Sequence, residues 1–532
     1  MKIDKICIVG GGTAGWMSAA TLIKSFPNKE ITLIESEDIP TIGVGESTTQ
    51  FFRDWTKEMN ISDSWMDECE ATYKYSVKFE NFSEYGDFHY PFFDGGPPAN
   101  SNCDILEWFF HLQASGGKPD MSFAEWMVPY WKVIEDNKVV VDQFQSFDYS
   151  KNSGYHFDAS KFAQWLKREF CVPRGVKHVT DTINNCEKDF SGNITTLFGE
   201  KGEYQADLYI DCTGFRSLLL GEYMNVEWES FPWLINDRAW AARVKYKDER
   251  SEMLNHTRCV ALDNGWVWHV PLTTRMGVGY NFSSQFVSPE VAKLEFMEFL
   301  GDHELIGEPR LIEWKNGVAK QIWSKNVVGL GLSGGFIEPL ESNGLLSVHN
   351  FAVFLADALS MHDGKVNTLM RDQFNHRCRK HFISFAHFVA NHYMMTTRDD
   401  TPYWKYISED IDYLSDMARD EYRAYPFDKF PLRMDQISEW AWQNLAGNAY
   451  IAAGHRHTPT TSWTCDYMEK RKNIDLASFA KLESGYQLSD EIIADINKFP
   501  NPCDFYYKDV AGIDMPHYIP VSYTHLTLPT KA

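Results

Sequence analysis

Paired cysteines are missing from this 532-residue chain: its ten Cys fall singly, with no CxxC and no metal-ligand spacing. That excludes a disulfide framework and a zinc module, and it reads as the reduced thiols of a cytoplasmic protein. Basic residues are scarce. Lys plus Arg number 51 against 74 Asp plus Glu, a net charge of −23. Neutralising phosphates needs clustered Lys and Arg, so nucleic-acid and anionic-membrane partners are not expected. No apolar run reaches the roughly 18 residues needed to span a bilayer. The opening Ile6-Cys7-Ile8-Val9 stops at glycines, unlike a secretory signal. His376, His381, His387 and His392 are spaced by 5, 6 and 5, never by the i,i+4 of a helical metal site, so no metal is expected. There is no internal repeat, no low-complexity tract and no composition break that marks a linker.

Aromatic residues, by contrast, are plentiful: 18 Trp within a 15% aromatic content, in an otherwise ordinary globular composition. Residues 5–35 read as strand, Gly-rich turn, amphipathic helix and strand. Gly10-Gly11-Gly12-Thr13-Ala14-Gly15 fits GxGxxG after the first strand, and Glu35 ends the second strand, 20 residues past Gly15. Glycines let a helix N-terminus approach a pyrophosphate, and an acid at that distance is placed to bond a ribose hydroxyl, so a dinucleotide is expected. Ala206 to Gly214 reads as a buried strand ending in Thr213-Gly214 and resembles the second FAD motif of flavoprotein monooxygenases. Gly329-Leu330-Gly331-Leu332-Ser333-Gly334 also fits GxGxxG, but Pro339 follows and no strand with a terminal acid comes after it. It reads as a backbone turn near the flavin, with Gly331 and Leu332 in contact. One dinucleotide fold and no nicotinamide fold means that reducing equivalents come from outside.

Five separated segments then carry a resemblance: IVGGGTAGWM at the start, Gly43 to Thr48, Gly265-Trp266-Val267-Trp268-His269-Val270-Pro271, Phe336 to Gly344, and Arg398 to Trp404. Tyr155-His156-Phe157-Asp158-Ala159 is a further block. Together they make the chain resemble the flavin-dependent tryptophan halogenases, from the N-terminus to about Trp404. The fold so implied is α/β: a Rossmann-like FAD-binding module of the flavin monooxygenase type with a mostly helical substrate-binding cap. Its expected parts are a core over 1–400 with a pocket-forming insertion at about 83–150, a helical cap over 401–520, and a disordered or non-native tail at 521–532.

Residues 73–79 alternate and read as one strand, on which Lys74 and Lys78 share a face. Periodicity does not separate them, and the bland reading is two solvated lysines. The resemblance selects Lys74 as the catalytic lysine and Glu341 as the catalytic acid. It adds Gly45, Glu46 and Ser47 to the FAD contacts. It puts halide at Asn343 and Gly344, where a helix N-terminus favours an anion, with Asn343 standing where the family usually has Thr. Trp266 and Trp268 alternate toward one face; alone they read as core aromatics, and the resemblance makes them a wall between substrate and flavin. Around the substrate it implies Phe93, with Pro91 where the tryptophan enzymes carry a stacking histidine, and Trp442 from the C-terminal helices.

The implied reaction uses FADH2 from a separate flavin reductase, O2 and halide to make hypohalous acid. Lys74 and Glu341 then halogenate an electron-rich, indole-like arene, expected not to be free tryptophan, with bromide competing well against chloride. The rivals are an FAD-dependent aromatic hydroxylase and a degenerate FAD-binding protein. The sequence leaves a homodimer open.

Overall fold

The computed structural model describes residues 2–37, 43–93, 109, 121–141, 147–361, 364–410, 454 and 490–507. A six-stranded sheet runs in the order Trp323–Ser324, Val327–Gly329, Leu208–Asp211, Lys5–Val9, Glu30–Glu35, Lys177–Thr180. All its pairings are parallel except that of the first two strands. Strands buried on both faces read as continuous apolar runs, as Ile6 to Val9 do. The helix Thr13–Ser25 crosses between the first two strands in sequence and packs on a later helix, Gly344–Met361.

That later helix corrects the sequence reading. Its 18 residues have a mean hydropathy of 1.4 and are long and apolar enough to cross a membrane. A search for uncharged runs misses it, because Asp357 interrupts the apolar residues. More than half of it is buried inside the fold, where it serves as a core helix.

A second sheet of seven strands carries the tryptophan pair. Its order is Arg310–Glu313, Arg238–Val244, Met276–Phe282, Gly265–Pro271, His256–Leu262, Ser76–Glu80, Phe88–Pro91. A third, small sheet joins Glu46–Ser47, Gly154–Phe157 and Thr72–Lys74.

Residues 73–79 are therefore not one strand. Thr72–Lys74 and Ser76–Glu80 belong to different sheets, and Tyr75 breaks between them with its N–H given to Asn255 O at 2.7 Å. Of the expected cap, Trp442 and most of 401–520 lie outside the described residues, as does the tail at 521–532. The described piece 490–507 folds back on the core: Tyr506 accepts from Tyr73 N at 2.7 Å, and Pro500 O accepts from Val139 N at 2.9 Å.

Candidate active site

The strand Lys5–Val9 ends at Gly10, whose φ of +117° suits glycine. A Cβ on Gly10 would lie 2.2 Å from Cys212 O, and one on Gly15 would lie 1.9 Å from Gly10 O. These two glycines close the turn. Gly12 differs: nothing lies within 4 Å of a Cβ built there, and no side chain caps the helix that starts at Thr13. Free amides over open space fit a pyrophosphate. Thr13 itself is tied by its hydroxyl to Ala159 O at 3.0 Å.

Glu35 Oε1 meets Lys167 Nζ at 2.7 Å and His178 Nε2 at 2.6 Å. A Cβ on Gly11 would strike Oε2 at 1.8 Å, so this carboxylate lies against the turn, where a ribose hydroxyl can reach it. Thr213 and Gly214 follow the strand Leu208–Asp211; Thr213 Oγ1 donates to Asp211 Oδ1 at 2.6 Å, and Gly214 sits at φ +70° with open space beside it. Gly331, at φ +71°, would place a Cβ 2.8 Å from Ala14 Cβ. Gly331–Ser333 is a single 3-10 turn packed on the first helix, not a second dinucleotide fold. The residues present fit a flavin dinucleotide.

Lys74 is fully buried. Its Nζ donates to Ser342 Oγ at 2.9 Å and Thr48 O at 3.2 Å, and stands 5.0 Å from the Phe92 ring centre. Among the described residues no carboxylate comes within salt-bridge reach of it. Burial pushes its ammonium down to about 8, against the opposing pull of Glu341. Lys78, the alternative, is a half-buried surface cation paired with Glu80 at 3.2 Å and Asp87 at 3.3 Å.

Glu341 is also buried, and its Oε1 is 2.6 Å from His392 Nε2. His392 Nδ1 faces Phe388 O at 3.0 Å, one turn back on its helix, so Nδ1 carries a hydrogen. Ser342 takes the left-handed φ of +57°, which turns the chain from Glu341 into the helix Gly344–Met361. Asn343 Nδ2 donates back to Glu338 O at 3.0 Å, and its carbonyl accepts from Ser347 N at 3.4 Å. A methyl on Gly344 would lie 3.8 Å from Glu46 Oε2, and burial pushes the Glu46 carboxyl up to about 7.

Trp266 and Trp268 share a sheet face, with rings 6.0 Å apart. Trp268 lies opposite Cys259, whose thiol points to Leu340 O. Cross-strand partners share a face, so both rings face the Phe336–Gly344 segment. Trp266 Nε1 is held by Tyr393 OH at 2.8 Å, which in turn donates to Glu338 Oε2 at 2.9 Å. Gly279 makes room for Trp268, since a Cβ there would lie 2.0 Å from its ring.

The structure thus brings together Lys74, Ser47, Ser342 and the residues that lead into the helix Gly344–Met361. Pro91 is buried opposite Ser76, and Phe93 packs on Tyr130 with ring centres 6.2 Å apart. The ring beside Lys74 is Phe92, which the sequence reading passed over. It also passed over Ser342 as a lysine partner, and over His392, because the histidines were tested only for metal spacing. Helical spacing to a carboxylate elsewhere in the chain leaves no trace in sequence.

The tryptophan halogenase family model matches residues 5–452. The chain is 34% identical over 422 residues to tryptophan 7-halogenase RebH of Lentzea aerocolonigenes, covering 76% of this chain and 78% of that one. Among solved structures it is similar to the tryptophan 6-halogenase SttH of Streptomyces toxytricini, at a TM-score of 0.81, 28% identity, and 95% and 99% coverage. It is similar also to VirX1 in its apo form, at 0.83, 32%, and 96% and 100%.

Proposed function

The chain belongs to the flavin-dependent tryptophan halogenases, enzymes that use FADH2, O2 and halide, and from that premise we propose that it halogenates an indole-like arene other than free tryptophan, through Lys74 and Glu341. The observation that carries the reading is the buried Lys74 ammonium with no carboxylate in contact among the described residues. An unpaired buried cation is costly to fold around, and such a site suits a group that holds an electrophile.

The flavin would be held by Gly10, Gly12, Thr13, Ala14, Gly15 and Glu35, with Gly45, Glu46, Ser47, Thr213, Gly214, Gly331 and Leu332 lining its ring. Bound and reduced by a separate flavin reductase, it supplies the electrons with which O2 oxidises halide to hypohalous acid. Asn343 and Gly344 would bind the halide at the helix start, with a neutral Glu46 carboxyl sparing it a neighbouring charge. Lys74 would hold the oxidised halogen, and Glu341 would take the proton that leaves the ring. Trp266 and Trp268, fixed from behind by Tyr393 and by Gly279, would form the wall that keeps the arene from the flavin.

RebH and SttH are tryptophan halogenases; the substrate reading parts from them on Pro91, which offers no ring to stack on an indole, and on the C-terminal segment around Trp442. Loss of one stacked ring forfeits roughly 0.5–1.5 kcal/mol. The core over 1–400 and the cap over 401–520 are the division this reading assumes. Steady-state kinetics with bromide, FAD and a reductase test it: kcat/KM for indole should exceed that for tryptophan, and the reverse order refutes the substrate assignment.

A further inference from the structure

Three hydroxyl side chains, Ser342, Ser47 and Thr257, connect Lys74 to the buried His156, and the direction of every hydrogen bond between them is fixed. Thr72 Oγ1 donates its one hydrogen to Pro271 O at 2.8 Å. It must therefore accept from His156 Nδ1, 3.1 Å away, so Nδ1 carries the imidazole hydrogen. His156 has no solvent exposure, and burial together with the Lys74 charge holds it well below the usual histidine range. It is neutral, and Nε2 is an acceptor. Its partner there is Thr257 Oγ1 at 2.8 Å, which so donates and accepts in turn from Ser47 Oγ at 2.8 Å. Ser47 accepts from Ser342 Oγ at 3.0 Å, and Ser342 from Lys74 Nζ at 2.9 Å. Each hydroxyl donates once and accepts once, all pointing from lysine to histidine.

We propose that Ser342, Ser47, Thr257 and His156 form a proton relay that takes a proton from Lys74 when the oxidised halogen arrives and returns it to the halogenated nitrogen before the halogen is transferred. This rests on the reading of Lys74 as the halogen carrier. An ammonium has no lone pair, so a nitrogen–halogen bond requires that one N–H be given up first. Lys74 passes that proton to Ser342 Oγ as each hydroxyl hands its own onward, and His156 Nε2 becomes protonated. The charge moves from one end to the other and the sum is unchanged. The free amine then attacks hypohalous acid: the nitrogen–halogen bond forms, the oxygen–halogen bond breaks, and hydroxide leaves with an amine proton as water. Return of the His156 proton makes the halogenated nitrogen cationic and hence a better donor. The ring carbon takes the halogen, leaving the amine its electron pair, and the ring proton goes to Glu341. The amine then takes up that proton from Glu341, which restores the ammonium and the carboxylate.

The titratable groups around this chain are Glu341 at the lysine end, Cys259 and His256 on the strand His256–Leu262, and Glu46 beside Ser47. Burial keeps the Cys259 thiol and the His256 ring neutral. Glu46 titrates near 7, equally in wild type and in a variant at 257.

Thr257→Val removes one hydroxyl and keeps the branched shape. Thermal unfolding of the full chain confirms that the variant folds. With indole, bromide, FAD and reductase at pH 7, bromoindole formation should fall at least about tenfold. At pH 9, above the Lys74 value of about 8, the amine is free without help, and the deficit should largely vanish. Normal turnover at pH 7, or a deficit as large at pH 9 as at pH 7, overturns the relay. A second measurement does not depend on catalysis: nitrogen-15 spectra of histidine-labelled protein, with His156→Gln for assignment, should show His156 protonated at Nδ1. An Nε2-protonated ring contradicts the relay even if halogenation is normal. A wild-type protein that brominates nothing refutes the lysine reading and leaves the spectrum to judge the wire.

Discussion

Two lysines four residues apart differ completely in environment, and their separation shows what single residues carry. Lys74 is sealed beneath Ser342, whereas Lys78 is ion-paired at the surface. Alternation put both on one face, because nothing in the residue types of Ala71 to Phe79 marks the break at Tyr75; the family resemblance chose between them. Glu341→Gln keeps a side chain of the same size but no longer takes up a proton. It should bind FAD normally and slow arene halogenation by about 10²-fold or more, as read by product formation in the presence of a reductase; an unchanged rate removes Glu341 from the chemistry. Glu46 makes a pH prediction. Its carboxyl is raised to about 7, so it is neutral below that pH and negative above it. An anion bound at Gly344 is repelled only by the charged form, so KM for bromide should climb as pH rises through 7 in wild type and stay flat in Glu46→Gln. Parallel profiles would detach Glu46 from the halide site.

At the scale of elements, the dinucleotide turn was legible because its requirements are local: a strand, three glycines, a helix and an acid in register. The three-stranded sheet of Glu46–Ser47, Gly154–Phe157 and Thr72–Lys74 was not, because its paired strands are short and lie 80 or more residues apart in sequence, with no shared period. The helix Gly344–Met361 was anticipated; the contact of Asn343 Nδ2 with Glu338 O, just before it, was not. If halide binds at this helix start as proposed, backbone amides there impose little size selection, and bromide should compete well with chloride. Overwhelming chlorination at equal halide concentrations would contradict this. Gly331→Ala tests the turn packed on the first helix. A Cβ at 2.8 Å from Ala14, on a backbone at φ +71°, should cost about 1–3 kcal/mol. The expected outcome is a lower Tm and weaker FAD binding by fluorescence titration, and an unaltered affinity would place the flavin elsewhere.

The whole molecule has one dinucleotide-binding sheet among its described residues, and this sets its dependence on a partner. FAD should bind, but NADPH added to the purified chain should not reduce it; rapid bleaching of the flavin by NADPH would show a nicotinamide site. Fold class and family were readable from separated motifs, since each has a local backbone reason. The surroundings of Lys74 were not readable, because they are built from its contacts with Thr48, Ser342 and Phe92, which only folding creates. The central claim is that oxidised halogen reaches the arene through Lys74. Its most direct test is a single turnover with preformed FADH2, O2, bromide and indole, in wild type and Lys74→Ala, following flavin oxidation and product mass together. The account predicts equal flavin oxidation in both proteins and bromoindole from wild type alone. Bromoindole from Lys74→Ala at the wild-type yield, or hydroxylated indole without bromine from wild type, would contradict it.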